Sequence, residues 1–84
     1  MSVEVRMMTA AGCHLCDEAY VVLEEVRAEA GFDLVAVDIT GDPDLEAEFR
    51  EQIPVVFVAG RKAFKYRVDA GELRRRVAAA TSTA

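Results

Sequence analysis

The chain of 84 residues has no tryptophan, one histidine, two prolines and two cysteines, and most of these scarcities close a possibility. Two cysteines are too few to staple a secreted mini-protein, whose small core depends on several disulfides. One histidine and no third cysteine leave a closed four-ligand zinc site short of ligands within one chain. No apolar run approaches the roughly 18–20 residues that cross a bilayer. The opening MSVEVRMMTA lacks a basic segment followed by an apolar stretch, so no secretion signal is read and a cytoplasmic location is expected. Repeats, linkers and low-complexity segments are also missing. The expectation is one domain over residues 1–84, large enough to bury its own core.

Hydrophobic residues make up 52% and charged residues 30%, the balance of a soluble globular protein. The net charge of −5 argues against nucleic acid as a partner. The charge is uneven: residues 1–49 hold two basic and twelve acidic side chains, residues 50–84 eight basic and three acidic ones. Two differently solvated faces account for this. An anionic-ligand surface on the C-terminal half is the sharper alternative, though the basic residues are too few for a phosphate-backbone track.

Val3, Val5 and Met7 alternate with Glu4 and Arg6 as in a strand. From His14 to Ala30, Leu15, Ala19, Val22, Leu23 and Val26 recur at helical spacing, and Gly31 suits the C-terminal cap. Phe32 to Asp38 reads as a second strand, buried along Leu34 to Val37. Asp42 and Pro43 open a short helix as N-cap and first helical residue, ending near Glu51. Val55 to Ala59 is a third strand, apolar and β-branched enough to be central. Gly60-Arg61-Lys62 reads as a hairpin turn into a fourth strand around Ala63–Arg67. Asp69 and Glu72 match a capping box for a last helix through Leu73 and Val77, and 81–84 is expected to fray. The order β-α-β-α-β-β-α implies an α/β fold: a four-stranded mixed sheet with helices on both faces. Both βαβ crossings are expected to pair their strands in parallel, and the hairpin to add an antiparallel strand.

Both cysteines fall in one stretch, T-A-A-G-C-H-L-C-D-E-A, where the first strand gives way to the first helix. Helix N-terminal amides point outward unpaired and carry about half a positive charge. A thiolate there is stabilised, which favours Cys13 as a nucleophile. Cys16 lies one turn on, close enough to close a small disulfide. The same spacing also fits buried structural cysteines or half of a metal site shared with a second chain. His14 points about 100° away from its neighbours, poorly placed to share an ion with them but able to act as a local charge or dipole. Asp17 and Glu18 work against a nearby thiolate. Ile53-Pro54, just before a buried strand, is either an ordinary helix-ending proline or a cis peptide. The cis form would turn Ile53 backbone groups toward the dithiol.

Together with V-D-I-T-G-D-P-D-L and I-P-V-V-F-V-A-G, this stretch resembles the thioredoxin fold, and within it the small glutaredoxin-like group, from Val3 to about Ala80. The resemblance implies a thiol–disulfide oxidoreductase reducing protein or glutathione mixed disulfides, with Cys13 attacking and Cys16 resolving. It implies a cis Pro54 and substrate contacts from Ile53, Gly12 and His14. Asp69 could stand where glutaredoxins have an acidic residue for glutathione's amino end, and the basic Arg61 and Lys62 are, by their charge, candidate contacts for a glutathione carboxylate. No metal and no tightly bound cofactor are expected; glutathione is a possible co-substrate and a reductase a possible partner. The chain departs from the resemblance in the His-Leu between the cysteines, and in Phe64–Ala70 where glutaredoxins carry a double glycine. A non-catalytic binding or redox-regulatory module, and a dimer-bridging iron–sulfur carrier, are the competing functions.

Overall fold

The computed structural model describes residues 2–82. Its elements are β1 (Glu4–Thr9), α1 (His14–Ala30), β2 (Asp33–Asp38), α2 (Pro43–Phe49), β3 (Val55–Val58), β4 (Arg61–Lys65) and α3 (Ala70–Ser82). The order is the expected one, and the four strands form one mixed sheet in the order β2-β1-β3-β4.

Alternation along β1 sends Val5 and Met7 to one face, where they meet Leu23 and Val26 of α1, Val56 and Val58 of β3, and Leu73 and Val77 of α3. The opposite face carries Met8, Val55, Ile39 and Phe49 around α2. Phe49 and Phe57 meet there edge to face, with ring centroids 6.0 Å apart. Helices therefore cover both faces. On the larger face, Arg74 of α3 is paired with Glu29 of α1 at 2.7 Å, joining the two helices at the surface.

Strand direction differs from the expectation. β1 and β2 are parallel, but β3 runs antiparallel to β1, so the second crossing does not return the chain to a parallel strand. The reason is length. A seven-residue α2 advances about 10 Å, half the roughly 20 Å of a six-residue strand. It turns across the end of the sheet and delivers β3 from the same end that β2 left.

β2 is consequently an edge strand, and the burial expected from Leu34 to Val37 is not found. Leu34 and Val37 are half-buried, while Val35 and Ala36 are exposed. With no strand on its outer side the run is covered only in part, Leu34 packing against the cluster under α1 and Val37 against that around α2. The hairpin turn also sits earlier than expected, at Ala59-Gly60, with φ of 51° and 82°. Two positive φ values suit a two-residue connection that follows the twist of its strands. Arg61 and Lys62 therefore belong to β4 itself. A bulge at Ala63 follows, since Phe57 faces Lys62 and Val56 faces Phe64. α3 runs on through Ser82, with Thr81 Oγ1 donating to the Val77 carbonyl, so 81 and 82 are helical; 83 and 84 lie outside the described residues.

The N-caps follow the sequence, but the capping box at α3 is only half formed, because the Glu72 carboxylate is taken by arginines. The Asp42 carboxylate accepts from the amides of Asp44 and Leu45, and Asp69 Oδ2 accepts from Glu72 N at 2.8 Å. The Glu72 carboxylate bonds Arg75 and Arg76.

Four carboxylates, Glu29 and Asp38 exposed and Glu46 and Glu72 half-buried, are held below their ordinary pKa. The hydrogen bond and charge of Arg74 lower Glu29, and hydrogen bonds from Thr40 lower Asp38. Bonds from Arg50 and then Gly41 N lower Glu46, and Arg76 and Arg75 lower Glu72. A depressed folded pKa gives stability that is complete above the unfolded value, about 4, and is lost as pH falls through the folded one. The melting temperature should therefore be level from pH 7 to about 5 and fall below about 4, less steeply in half-molar salt because these groups are solvated. A melting temperature that rises as pH drops from 5 to 3 would contradict this.

Candidate functional site

β1 ends at Thr9 and the chain turns through Ala11-Gly12 into α1. Gly12 has φ of +76°, and a Cβ built on it would meet nothing within 4 Å. Glycine is favoured there by the backbone angle, not by crowding. The turn leaves Cys13 extended, at φ −89° and ψ 107°, as the N-cap of α1. Its Sγ accepts a hydrogen bond from Cys16 N at 3.1 Å, in the place a serine or aspartate oxygen takes in an ordinary cap.

Cys13 and Cys16 form a disulfide, with their Cα atoms 5.2 Å apart. The two sulfurs are unequal. Cys13 is half-buried at the rim, whereas Cys16 is 1% exposed and is among the buried residues of α1. A reagent from solvent reaches Cys13 first.

The Ile53–Pro54 peptide is cis. Met8 faces Val55 in the β1–β3 ladder, so Pro54 lies one step further on, beside the loop that leads to Cys13. Pro54 is buried and Ile53 half-buried. The Ile53 N–H donates to the Phe49 carbonyl at 3.0 Å. Of the backbone groups expected to face a substrate, this one is already committed to the end of α2.

Tyr66 was not among the residues singled out from sequence, yet it ties the Pro54 loop to the end of β4. Its N–H donates to the Pro54 carbonyl at 2.9 Å, and its phenol donates to the Glu51 carbonyl at 3.0 Å. Tyr66 has φ of +70°, and Arg67 N reaches across it to the Lys65 carbonyl at 2.8 Å. These are the marks of a γ-turn of the rare positive-φ kind, whose strain is of order 1–3 kcal/mol for a residue with a side chain. Lys65 Nζ lies 5.6 Å from the ring centroid. The segment Tyr66–Val68 and the first turns of α1 enclose a cleft of about 150 Å³, lined by Leu15, Ala19, Val22 and Val68 among others. At its rim Arg67 faces Glu18 at 4.0 Å, both exposed.

The other expected residues divide by position. His14 is exposed in the first turn of α1. Asp69 caps α3 at the dithiol end of the sheet, because β4 runs back to set Lys65 opposite Val55; its Oδ2 is used by the cap. Arg61 faces Val58, three steps along β3 and about 10 Å from the Pro54 end. It lines a separate cavity of about 470 Å³ with Arg76 and Ala63. Lys62 donates to Gln52 Oε1 at 3.0 Å. Gly12, Cys13, His14, Cys16, Ile53 and Pro54 thus converge, while Arg61 stands at the far end of its strand.

Among the described residues, no helix is long and apolar enough to cross a membrane. The sequence pattern of the Glutaredoxin-like domain (DUF836) matches residues 4–78. The uncharacterized protein Rv0508 of Mycobacterium tuberculosis is 37% identical over 93% of this chain and 86% of its own length. The X-ray structure of protein XcR50 from X. campestris superposes with a TM-score of 0.74 at 30% identity, covering 89% of this chain and 96% of that one. Chloroplastic thioredoxin z matches with a TM-score of 0.77 at 21% identity over 96% of this chain and 80% of its own, a likeness of fold. Matched over nearly its whole length, and with a disulfide seated where β1 hands over to α1, the chain belongs to the glutaredoxin-like family and has the thioredoxin fold.

Proposed function

We propose that this protein is a dithiol–disulfide oxidoreductase that reduces protein or glutathione mixed disulfides, with Cys13 attacking and Cys16 resolving. One observation carries the reading: the accessible Cys13 sulfur caps α1 and accepts the Cys16 amide, while its disulfide partner is buried. In the reduced protein the same amide and the positive end of the helix stabilise a thiolate on Cys13. That thiolate attacks one sulfur of R–S–S–R′, forming Cys13–S–S–R and releasing R′S⁻. Cys16 then gives up its proton, and its thiolate attacks the Cys13 sulfur and releases RS⁻. Two electrons pass from the dithiol to the substrate, two thiols leave, and the Cys13–Cys16 disulfide remains. An external dithiol, or two molecules of a thiol such as glutathione, must return the electrons.

Burial of Cys16 suits the second role. A thiol shut away from solvent is a poor target for outside reagents and a well-placed partner for the neighbouring sulfur. Ile53 and Pro54, beside the Cys13 loop, form the wall against which the substrate backbone lies.

A redox titration in defined dithiol buffers tests the reading, with free thiols trapped by alkylation and counted by mass. A reversible two-electron transition between about −150 and −300 mV is expected. If no Cys13–Cys16 disulfide forms in any buffer, the oxidoreductase reading fails.

A further inference from the structure

We propose that Tyr66 is a positioning residue for the redox site: it holds the loop carrying Ile53 and Pro54 in place beside Cys13. The inference rests on the oxidoreductase reading above, because it assigns a function to the wall of that same site.

Tyr66 makes two bonds to one short loop, from different parts of its own structure. The main chain binds the Pro54 carbonyl, and the phenol reaches back to the Glu51 carbonyl. Between those acceptors lie Gln52 and Ile53, the residues that link the end of α2 to β3. Neither a strand ladder nor a helix supplies these bonds; beside the Lys62 ammonium on the Gln52 side chain, Tyr66 gives the loop's backbone carbonyls their two bonds to the end of β4. The backbone of Tyr66 takes a positive φ, where glycine is the ordinary occupant. A glycine would supply the turn and the main-chain bond but no phenol. The tyrosine side chain, kept despite its unfavourable angle, points to work done by the ring and hydroxyl, since strained backbone persists where surroundings demand it.

Its place explains what that work is. A disulfide approaching Cys13 must lie between the head of α1 and the Pro54 loop, and attack requires the sulfurs in line. Slack in the loop would widen the range of bound geometries without altering the thiolate. Tyr66 acts on substrate placement and not on the reactivity of Cys13. Tyr66 also lines the cleft that Leu15, one of the two residues between the cysteines, lines from the α1 side.

The experiment uses the full chain, reduced, in single-turnover reaction with a synthetic peptide carrying a glutathione mixed disulfide. Tyr66→Phe removes the phenol bond and keeps the ring and the turn. Its half-saturation concentration for the peptide is expected to rise about three- to tenfold, the equilibrium worth of one ordinary hydrogen bond. The alkylation rate of Cys13 by iodoacetamide and the midpoint potential should stay at their wild-type values. Amide exchange at Gln52 and Ile53 should quicken. Tyr66→Gly, which accepts the turn but lacks the ring, should move in the same direction; if it fails to fold, Tyr66→Phe alone decides. An unchanged half-saturation in Tyr66→Phe, with wild type active, overturns the proposal. A fall in Cys13 alkylation that matches the lost rate also overturns it, because the residue would then act through the thiol. If wild type itself fails to attack the peptide, the oxidoreductase reading falls first, and that result needs no variant.

Discussion

Replacing Cys13 by serine should lower turnover on a mixed-disulfide substrate by at least about a thousandfold, because a serine hydroxyl is not ionised near neutrality and cannot be reduced or oxidised in the thiol's place. The fold should survive the change. Cys13 is the N-cap of α1, and serine is among the residues best suited to that position. The hydroxyl can take over the bond from Cys16 N, so melting temperature and circular dichroism are expected to stay near those of the reduced wild type. Loss of turnover without loss of structure then reports chemistry alone. The companion change is Cys16→Ala, not serine, since position 16 is 1% exposed and a hydroxyl buried without a partner costs about 1–3 kcal/mol. That variant should still attack but stall. Mass spectrometry should show the substrate thiol held on Cys13, released only when excess external thiol is added. Should Cys13→Ser retain turnover, or should the adduct appear on Cys16 of the wild type, the assignment of roles would be reversed or lost.

The second large effect concerns stability. Leu23→Ala should destabilise by about 3 kcal/mol, within the range of 2–5 found for buried leucines. Leu23 is fully buried in the cluster that joins β1, α1, β3 and α3, so the space it leaves is walled by elements that cannot all close in. For a domain of this size each kcal/mol moves the melting temperature by about 4–8 °C, which gives a drop of about 12–24 °C. Val21 is the internal control: two residues away on the same helix, it is 56% exposed, and Val21→Ala should stay within about 0.5 kcal/mol of wild type. Both are measured with the dithiol in one redox state. A shift below about 4 °C for Leu23→Ala would mean that α1 does not carry the core.

Local patterns made much of this structure readable beforehand. The alternation in β1, the helical spacing from Leu15 to Val26 and the caps at Asp42 and Asp69 each rest on contacts within a few residues. The dithiol was legible because its chemistry depends on a spacing of three and a helix start. What escaped depends on partners distant in sequence. An apolar Leu-Val-Ala-Val run looks alike in a central and an edge strand, and only the arrival of β3 on the other side of β1 decides. The direction of β3 follows from how far α2 reaches, a matter of length against strand span. The hairpin moved because Ala59 adopts a positive φ that alanine gives no reason to suspect. Tyr66 escaped for the same reason, as nothing in Phe64-Lys-Tyr-Arg marks a turn. Arg61 was grouped with the site by its charge, and the strand register carries it away.

The two margins of the sheet bear opposite charge. β2 begins and ends with aspartate, and β4 carries Arg61, Lys62 and Lys65. If two copies met by antiparallel pairing of β2 about its centre, Asp33 of each would oppose Asp38 of the other. Like charges directly across a ladder repel. Two copies of β4 would set cations together in the same way, and the bulge at Ala63 interrupts the row of amides that a neighbour would need. A small sheet with open margins is ordinarily a template for fibre growth. Here each margin rejects its own kind, which opposes growth by like margins when molecules are crowded together.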